Sequence, residues 1–145
     1  MFEAISRLFR DKDAPATNPE PRLAVAALLI HLSAVDGSTS EAEREAVRHT
    51  LMDYYALNES EVELLVEEAT RRDSEAVDFY RFTSAITQLP EEERIEIIRM
   101  MWQVVFADDK NHELEDNMVW RIAELIGVSA RQRTLLRSQM SRGLA

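Results

Sequence analysis

Cysteine is absent from this chain of 145 residues, so disulfides, thiolate-bound metals and cysteine nucleophiles are excluded. That absence fits a reducing compartment. Glycine occurs three times and proline four times, while Ala, Leu, Glu and Arg dominate, a balance that favours helix. Positive charge is scarce: 17 Lys and Arg stand against 27 Asp and Glu, and the net charge of −10 opposes nonspecific nucleic-acid binding. No apolar run reaches the roughly 18–20 residues that a transmembrane helix needs. The longest, "LAVAALLIHLSAV" at 23–35, carries His31 and reads as a buried core helix. The opening "MFEAISRLFR" is too short and too charged for a secretory signal, and no small-residue cleavage site follows, so a cytoplasmic location is expected. Phosphate-cradling glycine loops and nucleophile elbows are missing, and no window alternates at strand period.

What is present points to one all-α domain. A hydrophobic fraction of 46% over this length supports a real core. Residues 1–20 form an arm and linker. Phe2, Ile5, Leu8 and Phe9 recur at helical spacing, and "DKDAPATNPEP" follows without apolar pattern. Residues 1–10 offer a weak membrane-surface contact, and packing onto the domain, or simple fraying, is the plainer expectation. The helical domain then covers 21–145. Pro21 suits a first helical turn, and its helix is expected to run to about Val35. Ser40 with Glu43, Asn58 with Glu61 and Ser129 with Gln132 have capping spacing and open three further helices. A helix from about Asp73 or Ser74 to Leu89 should carry Val77, Tyr80, Phe82 and Ile86 inward. Pro90 opens another, with Ile95, Ile98, Met101, Trp102 and Val105 on a broad apolar surface. Gly127 is expected to stop the helix before the last. The fold predicted is a compact helical bundle of about seven helices.

The chain also repeats itself. "AVDGSTSEAE" at 34–43 and "FADDKNHELE" at 106–115 each follow an apolar helix and each place Asp seven positions before Glu. Asp36 and Asp108 stand 72 positions apart, as do Glu43 and Glu115. The same offset pairs Leu28 with Met100, Leu29 with Met101, Leu32 with Val104 and Val47 with Val119. Beyond Tyr55 the offset falls to 71, pairing Leu57 with Val128, Asn58 with Ser129 and Leu64-Leu65 with Leu135-Leu136. Two pseudo-repeated three-helix units follow, each with a central apolar helix, and the two central helices should sit at equivalent places, packed against each other or across a pseudo-twofold axis.

Asp36 and Asp108 close helices, where the dipole disfavours a carboxylate by a few tenths to about 1 kcal/mol. A hard divalent cation held by Asp36, Glu43, Asp108 and Glu115 would offset that cost. The competing account is structural: Asp-Gly is a common turn pair, and Glu43 is explained by its capping box. Asp109 replaces the glycine in the second copy. Neither segment is an EF-hand loop, since Glu41 and Val47, and likewise Glu113 and Val119, occupy the positions of its glycine and bidentate glutamate.

Helix, Asp-Gly, a short spacer and Glu, used twice in an all-helical domain over roughly Leu23 to Met140, resembles the TerB-like domains. These are named for tellurite-resistance operons and are related to the N-terminal module of DjlA-type co-chaperones. The resemblance implies a cytoplasmic bacterial helical domain with an acidic cluster proposed to hold a metal, linked to stress responses and membrane-associated assemblies rather than to a reaction. Asp36 and Glu43 match the motif fully. Asp108 and Glu115 match it with Asp109 departing from glycine.

Two readings follow. One is a non-enzymatic domain binding a divalent cation (Ca, Mg or Mn) through Asp36, Glu43, Asp108 and Glu115. The other is a metal-free scaffold that docks protein partners through the arm or through the final helix, whose segment carries Arg131, Arg133, Arg137 and Arg142 and no acid after Val128. For those arginines the plainer expectation is an acidic neighbour within the domain. His31, His49 and His112 lack metal-ligand spacing, and Trp102 and Trp120 fall at core positions.

Overall fold

The computed structural model describes residues 20–35, 37, 39–75, 79–107 and 113–141. Seven helices and no strand occur among them: α1 (Pro21–Ser33), α2 (Glu41–Tyr55), α3 (Glu59–Glu75), α4 (Phe79–Thr87), α5 (Glu91–Val105), α6 (Glu113–Leu125) and α7 (Ala130–Ser141). The all-α bundle read from the sequence is the one observed.

Local chemistry sets the helix limits. Pro21 takes the first position of α1, where its missing N–H leaves nothing unsatisfied. At α2, the Ser40 N–H donates to Glu43 Oε1 (2.9 Å) and the Glu43 N–H donates to Ser40 Oγ (3.0 Å). Asn58 with Glu61 and Ser129 with Gln132 make the same reciprocal bonds before α3 and α7. Gly127 ends α6 at φ +81°. A Cβ there would lie 2.8 Å from Arg94 Nη1, which donates to the Ile126 carbonyl at 2.7 Å, so a side chain at this positive φ would strain the backbone and push the guanidinium aside.

Two boundaries differ from expectation. α1 stops at Ser33, two residues before Val35. The helix expected from Asp73 or Ser74 begins at Phe79 instead, because α3 continues to Glu75. Glu68 bridges Arg71 (2.6 Å) and Arg72 (3.2 Å) at i,i+3 and i,i+4 spacing, which supports those solvated last turns. Arg71 first, and then Arg72, hold the Glu68 carboxyl below the usual carboxylate range. Phe82 and Ile86 are buried as expected; Val77 and the Tyr80 side chain lie outside the described residues.

The duplication is visible in the architecture. α1 packs most extensively on α3 and α5 on α7, each also touches the helix that follows it, and α1 and α5 meet in the middle. Ala24 through Leu29 are wholly buried on α1, as are Ile97, Ile98, Met101, Trp102, Val104 and Val105 on α5. Caps match as well. Ala34 and Phe106 end the central helices at φ −108° and −90°, and left-handed Ala56 (φ 53°) corresponds to Gly127. Leu64 and Leu135 face outward at equivalent places, 68% and 53% exposed. α4 bridges the units by packing on α1 and α6.

Burial raises the phenol pKa of Tyr55, with Tyr54 and Glu93 adding to the shift. A raised folded value means that the neutral phenol stabilises the native state below its ordinary pKa of about 10, and that this contribution is lost as pH rises toward the folded value. Alkaline unfolding is therefore expected to begin above about pH 10. Tyr55→Phe should flatten the fall of urea-denaturation midpoints between pH 9 and 11, and an unchanged profile would contradict the assignment.

Candidate functional site

Glu43 and Glu115 occupy the third position of α2 and α6 and are 2% and 3% exposed. Both sit in the first turn, where the helix dipole favours an anion. Capping does not by itself demand this burial, because Glu61 makes the same two bonds while exposed. Asp36, Asp108 and His112 lie outside the described residues, so the glutamates are the two members of the expected carboxylate set that the structure places. Their oxygens are hard donors suited to a divalent cation. Glu43 commits Oε1 to its cap, and a carboxylate with two oxygens retains capacity for a second partner. Among the described residues no group of three or more His, Asp or Glu is placed to hold a metal. His49 is exposed and His31 half-buried.

The turn after α1 is closed by its own hydrogen bonds. The carbonyls of His31, Leu32 and Ala34 accept from the N–H groups of Ala34, Val35 and Gly37, and the Ser33 carbonyl accepts from Thr39 Oγ1 at 3.2 Å. Arg44 Nη2 donates to the Thr39 carbonyl at 3.1 Å, bringing a fixed cation beside the first acidic turn. In the second unit Asp116 takes the place of Arg44, and its guanidinium comes from α7. Arg137 Nη2 donates to Asp116 Oδ2 at 2.7 Å and lies 5.5 Å from the ring centres of Trp102 and Phe106. Arg133 stacks 4.2 Å over Trp120 and donates to its carbonyl.

The final helix thus spends Arg133 and Arg137 on its own domain, with Asp116 as the acidic neighbour expected. Arg131 is exposed, and Arg142 lies outside the described residues. Sequence reasoning missed Arg44 and Arg48. Their i,i+4 spacing on α2 was the available signal, and it puts both on one face. Arg48 Nη1 donates to Glu63 Oε1 at 2.8 Å; that bond and the charge of Glu63 raise the guanidinium pKa.

No helix among the described residues is long and apolar enough to cross a membrane. A family model described as tellurite resistance protein TerB matches residues 22–138. No curated protein and no solved structure matches the chain.

Proposed function

The chain belongs to the TerB family, and we propose that it acts as a non-enzymatic helical domain that takes a divalent cation (Ca, Mg or Mn) at its two acidic turns, in a bacterial stress response of the tellurite-resistance kind. The observation that carries this reading is the burial of Glu43 and Glu115 at matched positions, while Glu61, which makes the same capping bonds as Glu43, stays exposed. A buried carboxylate has to be compensated. A helix N-terminus supplies about 0.3–1 kcal/mol, Glu43 adds the hydrogen bond of its cap, and a cation with oxygen ligands is a further partner suited to such carboxylates. Glu43 and Glu115 are the buried anchors in this reading, with Asp36 and Asp108 as ligands from the turns. The family description supports the stress-response setting.

Thermal denaturation of the intact chain in Ca²⁺, Mg²⁺ and Mn²⁺ tests it. A cation bound only by the native state stabilises by about 2.7 kcal/mol at a hundredfold excess over Kd. The melting temperature should therefore rise with at least one metal. Glu43→Gln and Glu115→Gln should remove that rise and Glu61→Gln should not. No response to any of the three at millimolar concentration sinks the reading.

The hydrogen-bonded carbonyls of the first turn, and the guanidinium beside it, favour a second account, in which the turns are structural and the domain docks protein partners without metal. Binding of partners by the intact chain, compared with a chain lacking residues 1–20, distinguishes a role for the arm from one for the helical domain.

A further inference from the structure

The two repeats differ where α1, α2 and α3 meet. In the second repeat the corresponding space is plugged from within: Arg137 lies over Trp102 and pairs with Asp116. The repeat offsets put Ile30 where Trp102 stands, Arg44 where Asp116 stands and Val66 where Arg137 stands. An indole and a guanidinium are replaced by two short aliphatic groups, and the space they would fill is open. It is a cleft of about 450 Å³ floored by Ile30, Val47 and Val66. Arg44, Arg48 and Glu63 supply its charged lining. In a chain of net charge −10, this is a cleft with two arginines against one glutamate.

Polarity is reversed between the repeats. In the second, the carboxylate belongs to α6 and the guanidinium arrives from α7. In the first, the guanidiniums belong to α2, and α3 has valine at the position of Arg137, with the exposed Glu63 pairing Arg48 at the edge. We propose that this cleft binds an acidic, apolar peptide segment of a partner protein, its carboxylate bridging Arg44 and Arg48 and its flanking apolar side chains seated on Ile30, Val47 and Val66.

The chemistry of the cleft supports such an occupant. Its volume lies within the roughly 300–1,000 Å³ of small-ligand pockets, and its floor is apolar with a few polar groups at the edge. Arg44 and Arg48 are one helical turn apart on the same face. A guanidinium carries five N–H donors, so the bonds of Arg44 to Thr39 and, at 3.5 Å, to the exposed Glu41, and that of Arg48 to Glu63, leave donor capacity on both. Glu63 is 64% exposed, and a pair so exposed holds weakly, so an incoming carboxylate displaces it at little cost. Once seated over an apolar floor, the new pair is the more shielded of the two.

Titrating the ¹⁵N-labelled full chain with the probe acetyl-Leu-Glu-Phe-Leu-amide, in EDTA, keeps the test separate from the metal reading. Saturable shifts are expected at Ser33, Thr39, Val47, Val66 and Thr70. The Gln version of the probe should bind about tenfold more weakly, as loss of a charge-assisted bond implies. Arg48→Gln should weaken binding by a similar factor, and Val66→Trp, which fills the floor, should abolish it. Glu63→Gln removes the internal competitor and should tighten binding severalfold, a gain that loss of structure cannot produce. Equal binding of the Glu and Gln probes overturns the proposal, as does the absence of saturable shifts at millimolar probe. Displacement of residues 2–9 by the probe would assign the cleft to the chain's own arm and also overturns it.

Discussion

Trp102→Ala is expected to lower stability by about 3–5 kcal/mol, the usual cost of emptying a buried aromatic site. Trp102 is wholly buried on α5, stacks on Phe106 at 5.7 Å and supports the Arg137 guanidinium. Alanine would leave a cavity where α5 meets α7 and would strand the guanidinium. Against a total of about 5–15 kcal/mol for an ordinary domain, the variant should stand close to unfolding. Urea denaturation followed by far-UV circular dichroism measures the difference. Trp102→Phe sharpens the test. The indole Nε1–H is buried with no hydrogen-bond partner among the described residues, so phenylalanine removes an uncompensated donor while keeping an aromatic ring under Arg137. It should cost less than half as much as alanine. Equal costs would mean that ring packing contributes little here.

Arg137→Ala carries the second largest expected effect, about 2–3 kcal/mol. Breaking a fully buried pair costs roughly 3–5 kcal/mol, and the figure is reduced because Arg137 and Asp116 are 39% and 24% exposed. The loss has two parts: the cation over Trp102 and Phe106, and the partner of Asp116, whose Oδ1 is already buried without a hydrogen bond. A double-mutant cycle with Asp116→Ala should return a coupling energy of about 1–2 kcal/mol. Arg131→Ala, on the exposed face of the same helix, should stay within about 0.5 kcal/mol. If the two arginine variants proved equal, α7 would be an ordinary solvated helix and its arginines would be free for a partner after all.

The candidate site was partly legible in advance. The Glu43 and Glu115 pair was visible as a repeat, because an identical spacing between a helix end and the next first turn survives in the linear order. Their burial was not, since Glu61 has the same local signature and the opposite exposure. Arg44 and Arg48 went unnoticed because nothing near them in the chain shows that Ile30 and Val66 leave space beside them.

Caps, helix order and most helix ends came from the sequence alone, the end of α1 and the start of α4 excepted: Pro21, the capping boxes at Ser40, Asn58 and Ser129, and the stop at Gly127 act through neighbours within about four residues. The doubled pattern likewise declared two units with apolar central helices. Tertiary structure alone decided which unit is plugged and which is open. That depends on Arg137 reaching Asp116 across 21 residues of chain. Contacts of that separation depend on how whole helices pack, and helical periodicity specifies which face is apolar without specifying what will stand against it.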